Sequence, residues 1–167
     1  MPRVLQQGYS RTSQIENLRN IFARNCDIRR ITKGEAAEFL AANHRMGDAS
    51  CRYRYGLFVR RATGRLEADV PAGTLVAVSE FSSGRRMNDG TRSFEWIRYA
   101  SLQGFRVQGG MGKMLDYFIQ DVHPDDVMSY SDPESGDGGD VYRKLGFKSE
   151  GTVRKPNFTC EKFRYSK

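Results

Sequence analysis

Apolar residues recur with two different periods along this chain, and their alternation predicts short helices and strands. Residues 1–12 are polar and show no periodicity, so we expect a flexible leader there. Ser-Gln-Ile-Glu at 13–16 has capping-box spacing and predicts a short amphipathic helix with apolar positions Ile15, Leu18, Ile21 and Phe22. The same spacing in Thr-Lys-Gly-Glu at 32–35 predicts a second helix over the apolar positions that follow it.

Runs of β-branched and aromatic residues predict strands at 26–32, 53–59, 74–81, 94–101, 127–131 and 158–165. We expect the last of these to pair with 147–153. Further helices are predicted at 110–122 and 140–145, the second capped by Gly146. Proline and glycine, which interrupt regular structure, predict a hairpin loop at 62–73, and the polar residues at 82–92 predict a turn. The pattern therefore predicts one α/β domain, residues 26–167, whose mixed β-sheet is flanked by helices. Residues 1–25 are expected to form an N-terminal extension.

Composition narrows the classes of protein that this chain can be. Its 167 residues suffice for one domain with a sizeable core, and no apolar run has the length of a membrane span. The first residues lack the layout of a signal peptide, so a cytoplasmic location without membrane contact is expected. Three cysteines have neither metal nor redox spacing and are expected to be reduced thiols. The sequence predicts no metal site.

The net charge of +7 is unevenly distributed along the chain. Residues 1–65 contain thirteen Lys and Arg against five Asp and Glu, whereas the remaining 102 residues contain fourteen against fifteen. A basic half of this kind favours a polyanionic or phosphate-bearing partner, and DNA is one possibility. A solvated basic surface explains the same charge.

A cluster of glycines precedes the helix predicted at 110–122. Close-spaced glycines let a backbone approach a pyrophosphate, and the helix N-terminus adds unpaired N–H groups and a positive dipole end. Charged side chains flank the cluster on both sides. The candidate anion-binding residues are Arg106, Val107, Gln108, Gly109, Gly110, Met111, Gly112 and Lys113. Their spacing matches neither a P-loop nor a dinucleotide fingerprint, and close helix packing would also explain the glycines.

This segment resembles the signature of the GNAT superfamily of N-acyltransferases, Arg/Gln-x-x-Gly-x-Gly/Ala. In one register Arg106 leads and Met111 departs from the pattern, and in the other Val107 leads the pair Gly110 and Gly112. Residues 141–147 (VYRKLGF) resemble the second hallmark of the superfamily, and the predicted order of elements agrees over about four-fifths of the chain. The resemblance implies acetyl-CoA, or another acyl-CoA, as co-substrate and an amine as acceptor.

Transfer of an acyl group from a thioester to an amine needs a base, an oxyanion donor and an acid. By the same resemblance, Tyr142 is the candidate acid that protonates the departing thiolate, and a backbone N–H of strand 94–101 is the oxyanion donor. Asp132, just past a strand, and Glu95, on a strand, remain alternative bases. His44 could reach the acceptor from the end of its helix.

The spacing Ser129-Tyr130-x-Asp132-Pro133-x-x-Gly136-x-x-Gly139-x-x-Tyr142 also resembles the Mom-type phage proteins that modify adenine N6 in DNA. This resemblance implies functional roles for Asp132 and Tyr142, supported by Ser129 and Tyr130. Arg52 and Arg54 alternate with tyrosines, as contacts to phosphates and bases would require. A catalytically silent module that binds CoA or nucleic acid is a third hypothesis, favoured by the departures from the glycine signature. Monomer and dimer both remain open.

Overall fold

The computed structural model describes residues 19–60, 70–131 and 139–166, which form ten strands and three α-helices. The strands are β1 (Arg19–Phe22), β2 (Cys26–Arg30), β3 (Tyr53–Val59), β4 (Leu75–Phe81), β5 (Arg85–Arg86), β6 (Arg92–Ser101), β7 (Phe105–Gln108), β8 (Asp126–Tyr130), β9 (Lys148–Arg154) and β10 (Thr159–Ser166). The helices are α1 (Lys33–Asn43), α2 (Gly110–Val122) and α3 (Asp140–Lys144).

The main sheet has the strand order β2-β3-β4-β6-β8-β10-β9, and β5 pairs with the outer end of β6. Its pairs are antiparallel except β6 with β8, which run parallel. The mixed sheet expected from the sequence is therefore confirmed. A separate parallel pair, β1 with β7, lies beside it.

Helices cover both faces of the main sheet. On one face α1 packs Leu40 against Val78 of β4. On the other face α2 buries Phe118, whose ring stacks on Phe81 with centroids 3.9 Å apart. The predicted capping box of α1 is present, because the Thr32 hydroxyl accepts from the backbone N–H of Glu35 and the Glu35 carboxylate accepts from that of Thr32.

The prediction of a helix that includes Ile21 and Phe22 is wrong for the described residues 19–22. Arg19–Phe22 is β1, which pairs with β7 and buries Ile21. Pairing with a strand more than eighty residues away outweighs the local helical spacing, and the sequence pattern did not predict β7. Residues 1–18 lie outside the described residues, as do most of the expected hairpin loop and residues 132–138 with the candidate base Asp132.

The described residues contain all three cysteines of the chain. Cys26, Cys51 and Cys160 are free thiols. Among the residues that the structure describes, none of the helices is long and apolar enough to cross a membrane. Within the same residues no group of three or more His, Cys, Asp or Glu side chains could hold a metal ion.

Candidate functional site

The central strands of the sheet separate part of the way along their length. β6 and β8 are paired only from Ser93 opposite Asp126 to Glu95 opposite Met128. Beyond that point β8 continues against β10, while the pairing of β6 with β4 is interrupted by an irregularity at Ile97. Such a bulge bends a strand and re-aims its backbone groups. β6 and β8 are therefore not paired beyond Glu95 and Met128, which leaves a gap between the two strands.

A cavity of about 580 Å³ opens at this gap. Its walls come from the end of α1, from β6, from the start of α2, from the end of β8, from α3 and from the β9–β10 hairpin. The lining includes His44, Arg45, Met46, Glu95, Trp96, Arg98, Tyr99, Met111, Tyr130, Tyr142, Lys155 and Phe158. These elements are far apart in sequence, so the cavity exists only in the folded chain.

Tyr142 stands at the beginning of α3, on the cavity wall. Its ring stacks on Phe163 with centroids 5.2 Å apart and meets Phe147 edge-on at 5.4 Å. Gly139 precedes the helix with φ +86°, and a Cβ there would collide with the ring of Phe163. The glycine therefore lets α3 approach β10 closely enough to hold the phenol at the gap.

The Tyr142 hydroxyl lies 3.0 Å from the Ser129 Oγ, which in turn lies 3.1 Å from the carbonyl oxygen of Trp96. A carbonyl can only accept, whereas the Ser129 hydroxyl can donate either to it or to the Tyr142 oxygen. Ser129 is 1% exposed. The structure therefore places the predicted substrate-binding Ser129 behind Tyr142, where it orients the phenol across the gap.

Glu95, one candidate base, lines the same cavity and is half-buried. Its backbone N–H donates to the Ser82 hydroxyl at 2.8 Å. Burial raises the pKa of its carboxyl, while the nearby charges of Lys155 and Arg98 act in the opposite direction. A carboxylate at a cavity wall whose pKa lies above its ordinary value is a stronger base than an exposed carboxylate.

The predicted acceptor residues divide between the cavity and the opposite part of the sheet. His44 and Tyr130 line the cavity. The Nδ1 of His44 accepts from the backbone N–H of Met46 at 3.0 Å, and the Lys155 ammonium lies 4.1 Å from the centroid of the Tyr130 ring.

Arg52 and Arg54 do not line the cavity. Arg52 is exposed, and Arg54 is half-buried with its Nε 3.7 Å from Glu80. The tyrosines of β3 are not arranged for the expected base contacts, because Tyr55 is fully buried and the rings of Tyr53 and Tyr55 both contact Phe118. Alternation along the strand turns these rings toward α2 and the arginines toward the other face.

The glycine loop has a second role in packing. Gly109 precedes α2 with φ +76°, and a Cβ on Gly110 would meet the Tyr99 hydroxyl and, at 3.1 Å, a methyl of Val107. The first N–H groups of α2 have no acceptor within the helix, so this end can receive an anion. A shallow cavity of about 540 Å³ lies there, lined in part by Arg24, Gln108, Gly109, Gly112 and Lys113.

The side chains around the glycine loop differ from the expected arrangement. Lys113 is not directed at the shallow cavity alone, because its ammonium donates to the carbonyl of Ala23 at 2.9 Å and to that of Cys26. Arg106 is exposed and outside both cavity linings, and Val107 is buried. Arg24, which no motif singled out, supplies a cation at the shallow cavity. Met111 faces the first cavity, so the two cavities flank the same helical turn.

Comparisons with solved structures agree with this architecture. The spermidine/spermine N-acetyltransferase SpeG of Vibrio cholerae matches with a TM-score of 0.63 at 12% identity, over 86% of this chain and 94% of that one. Naa50 of Arabidopsis thaliana, solved with the bisubstrate analogue CoA-Ac-MVNAL, matches with a TM-score of 0.61 at 10% identity, over 86% of this chain and 99% of that one. A Bacillus subtilis acetyltransferase in complex with CoA matches with 0.58 at 11% identity, over 85% and 99%.

No protein-family model matches the sequence, and a search of curated proteins finds no match. The likeness to the solved acetyltransferases is therefore one of structure at low identity. It extends over 85–86% of this chain in the three structures named. The chain has the GNAT fold.

Proposed function

We propose that this protein is an acyl-CoA-dependent N-acyltransferase that moves an acetyl or related acyl group to an amine. The observation that carries the proposal is the placement of the Tyr142 hydroxyl at the gap between β6 and β8, beside the glycine-opened first turn of α2. Neighbours with the same fold were solved with CoA or a CoA analogue, which supports the choice of co-substrate.

Acyl-CoA would rest its pyrophosphate on the backbone of the first turn of α2, with Arg24 nearby, and place its thioester in the gap. The amine nitrogen then attacks the thioester carbonyl, a carbon–nitrogen bond forms, and the carbon–sulfur bond breaks. Glu95 or Asp132, directly or through water, receives the proton that the amine loses. Tyr142 gives its hydroxyl proton to the thiolate. Backbone groups at the Ile97 bulge are the candidate oxyanion donors.

Tyr142→Phe tests this mechanism because it removes only the hydroxyl. We expect turnover to fall by about 100-fold, the typical contribution of a positioned acid, with little change in the dissociation constant of acetyl-CoA. Turnover is followed as CoA release with a panel of amines, and CoA binding as a rise in the melting midpoint. Tyr117→Phe, on α2 and outside both cavities, is the matched control. Unchanged turnover in Tyr142→Phe would remove this residue from the mechanism.

A second candidate acceptor is the adenine amine of DNA. The charge of the cavity supports this acceptor, because Arg45, Arg98 and Lys155 are three cations in a lining whose described part has one carboxylate. The rings of Tyr130 and Phe158 could in addition stack on a base. Binding of DNA would weaken steeply with salt. Lys155→Ala should lower DNA retention while leaving acetyl-CoA binding intact. Absence of retention at low salt contradicts this acceptor, and CoA binding with no transfer to any amine or to DNA would instead indicate a binding module.

A further inference from the structure

Two large apolar side chains are exposed among the residues that the structure describes, and both line the cavity at the gap. Met46 is 56% exposed and Phe158 is 47% exposed. A single exposed apolar side chain needs no explanation, but two of them on one concave surface indicate a site for an apolar ligand. Because each side chain is both exposed and part of the lining, the two lie where the cavity meets solvent.

Hydrogen bonds hold the backbone on which each of these side chains stands. Met46 belongs to the turn after α1, where the carbonyl of Gly47 accepts from the Arg98 Nε at 3.1 Å, which ties the turn to β6. Phe158 belongs to the β9–β10 hairpin, where its carbonyl accepts from the backbone N–H of Lys155 at 2.7 Å. Apolar groups presented from a held backbone lose little entropy when a ligand packs on them, which favours binding.

The place of the two side chains assigns them to the acceptor rather than to CoA. In the proposed function the pyrophosphate of CoA rests on the first turn of α2, and neither Met46 nor Phe158 lines the shallow cavity there. The candidate base Glu95 and the candidate acid Tyr142 line the same cavity as the two apolar side chains. An amine that reaches Glu95 through this cavity therefore carries its substituent past Met46 and Phe158.

We infer that the acceptor is a small amine that bears an aromatic ring or an apolar group of similar size, and that this group packs on Met46 and Phe158. The inference rests on the proposed function, which supplies the transfer to an amine. The cavity volume of about 580 Å³ is typical of sites for small molecules. The thioether of Met46 adapts to the shape of a ring, and the ring of Phe158 offers an aromatic contact. The two residues thus determine specificity for the acceptor.

Matched amines test the chemical class of the acceptor. 2-Phenylethylamine and ethylamine differ only by the phenyl ring, and with saturating acetyl-CoA we expect kcat/KM to be about tenfold higher for 2-phenylethylamine. Spermidine and an adenine-containing oligonucleotide are the highly charged alternatives. Equal kcat/KM for the matched amines overturns the inference, as does transfer to either charged acceptor with none to 2-phenylethylamine. Absence of transfer to all of these acceptors contradicts the proposed function itself.

Truncation of the two side chains tests their contact with the ring. Phe158→Ala and Met46→Ala should each lower kcat/KM for 2-phenylethylamine about 3- to 10-fold more than kcat/KM for ethylamine, because only the first amine has a ring to lose the contact. This comparison within each amine cancels its intrinsic reactivity. Phe158→Leu and Met46→Leu keep an apolar surface and should retain most of the preference. Thr159→Ala, an exposed position of the same hairpin outside the cavity lining, is the control.

Binding of acetyl-CoA shows whether the two side chains contact the acceptor or the donor. The rise in melting midpoint with acetyl-CoA should be the same in the alanine variants as in the wild type, because the truncated side chains lie outside the shallow cavity at α2. Since both side chains are exposed, the midpoint without ligand should also stay close to that of the wild type. Weaker acetyl-CoA binding, or an equal fall in kcat/KM for both amines, overturns the inference.

Discussion

The buried carboxyl of Glu80 should make the stability of this protein depend on pH. Its side chain is fully buried on β4, below the loop that connects α1 to β3. Its carboxyl accepts from the backbone N–H of Ala49 at 3.3 Å and has the Arg54 Nε at 3.7 Å, while Asp48 and Cys51 also contact it. Arg98 is opposite it on β6. Burial, together with the hydrogen bond to Asp48, raises the pKa of Glu80 to about 7.

The direction of the effect follows from proton linkage. Because the folded state holds this proton more tightly than the unfolded chain, the stabilisation is complete below the unfolded pKa of 4.5 and is lost as pH rises to about 7. One pKa unit corresponds to about 1.4 kcal/mol, so the shift sets an upper limit of about 3 kcal/mol on the loss. Asp48 has a lowered pKa, so its contribution changes at more acidic pH than this window.

Glu80→Gln removes the titrating group and keeps the shape of the side chain. We expect the wild-type free energy of unfolding, measured in urea, to fall by about 1–3 kcal/mol between about pH 5 and pH 8, and the variant to lose most of that slope. Glu38→Gln, an exposed carboxylate on α1, is the control and should follow the wild type. Parallel pH profiles for wild type and Glu80→Gln would refute the assignment of this proton to Glu80.

Three further outcomes follow from local geometry. Thr32→Ala removes the capping box of α1 and should cost about 1 kcal/mol in thermal or urea unfolding, and an unchanged midpoint contradicts it. Gly110→Ala sets a Cβ against Tyr99 and should reduce acetyl-CoA affinity at least about tenfold by calorimetry. Gly34→Ala, whose Cβ would make only an ordinary contact at 3.9 Å with the Thr32 hydroxyl oxygen, should not. Lys113→Met leaves two backbone carbonyls without their donor and should lower the free energy of unfolding by about 1–2 kcal/mol. If the variant instead keeps its stability and loses only acetyl-CoA binding, the ammonium binds the phosphates of the ligand.

Local sequence determined the elements whose signals lie within one segment. The strand Tyr53–Val59 and the helix Lys33–Asn43 have the predicted positions, because alternation and a capping box are read over a few residues. Gly146, predicted as the cap that follows α3, has φ +99°. The glycine loop was likewise found at the start of a helix, since glycines and helical spacing adjoin there.

Only the tertiary structure decided the features that depend on distant contacts. β1 replaced a predicted helix because β7 pairs with it, and Lys113 turned from the expected anion site to the carbonyls of Ala23 and Cys26. The cavity joins the end of α1, a gap between parallel strands and a hairpin near the C-terminus. That the Trp96 N–H meets no acceptor within residues 19–60, 70–131 and 139–166 has no signature in the sequence, because whether a buried donor is satisfied depends on every neighbour that the fold brings to it.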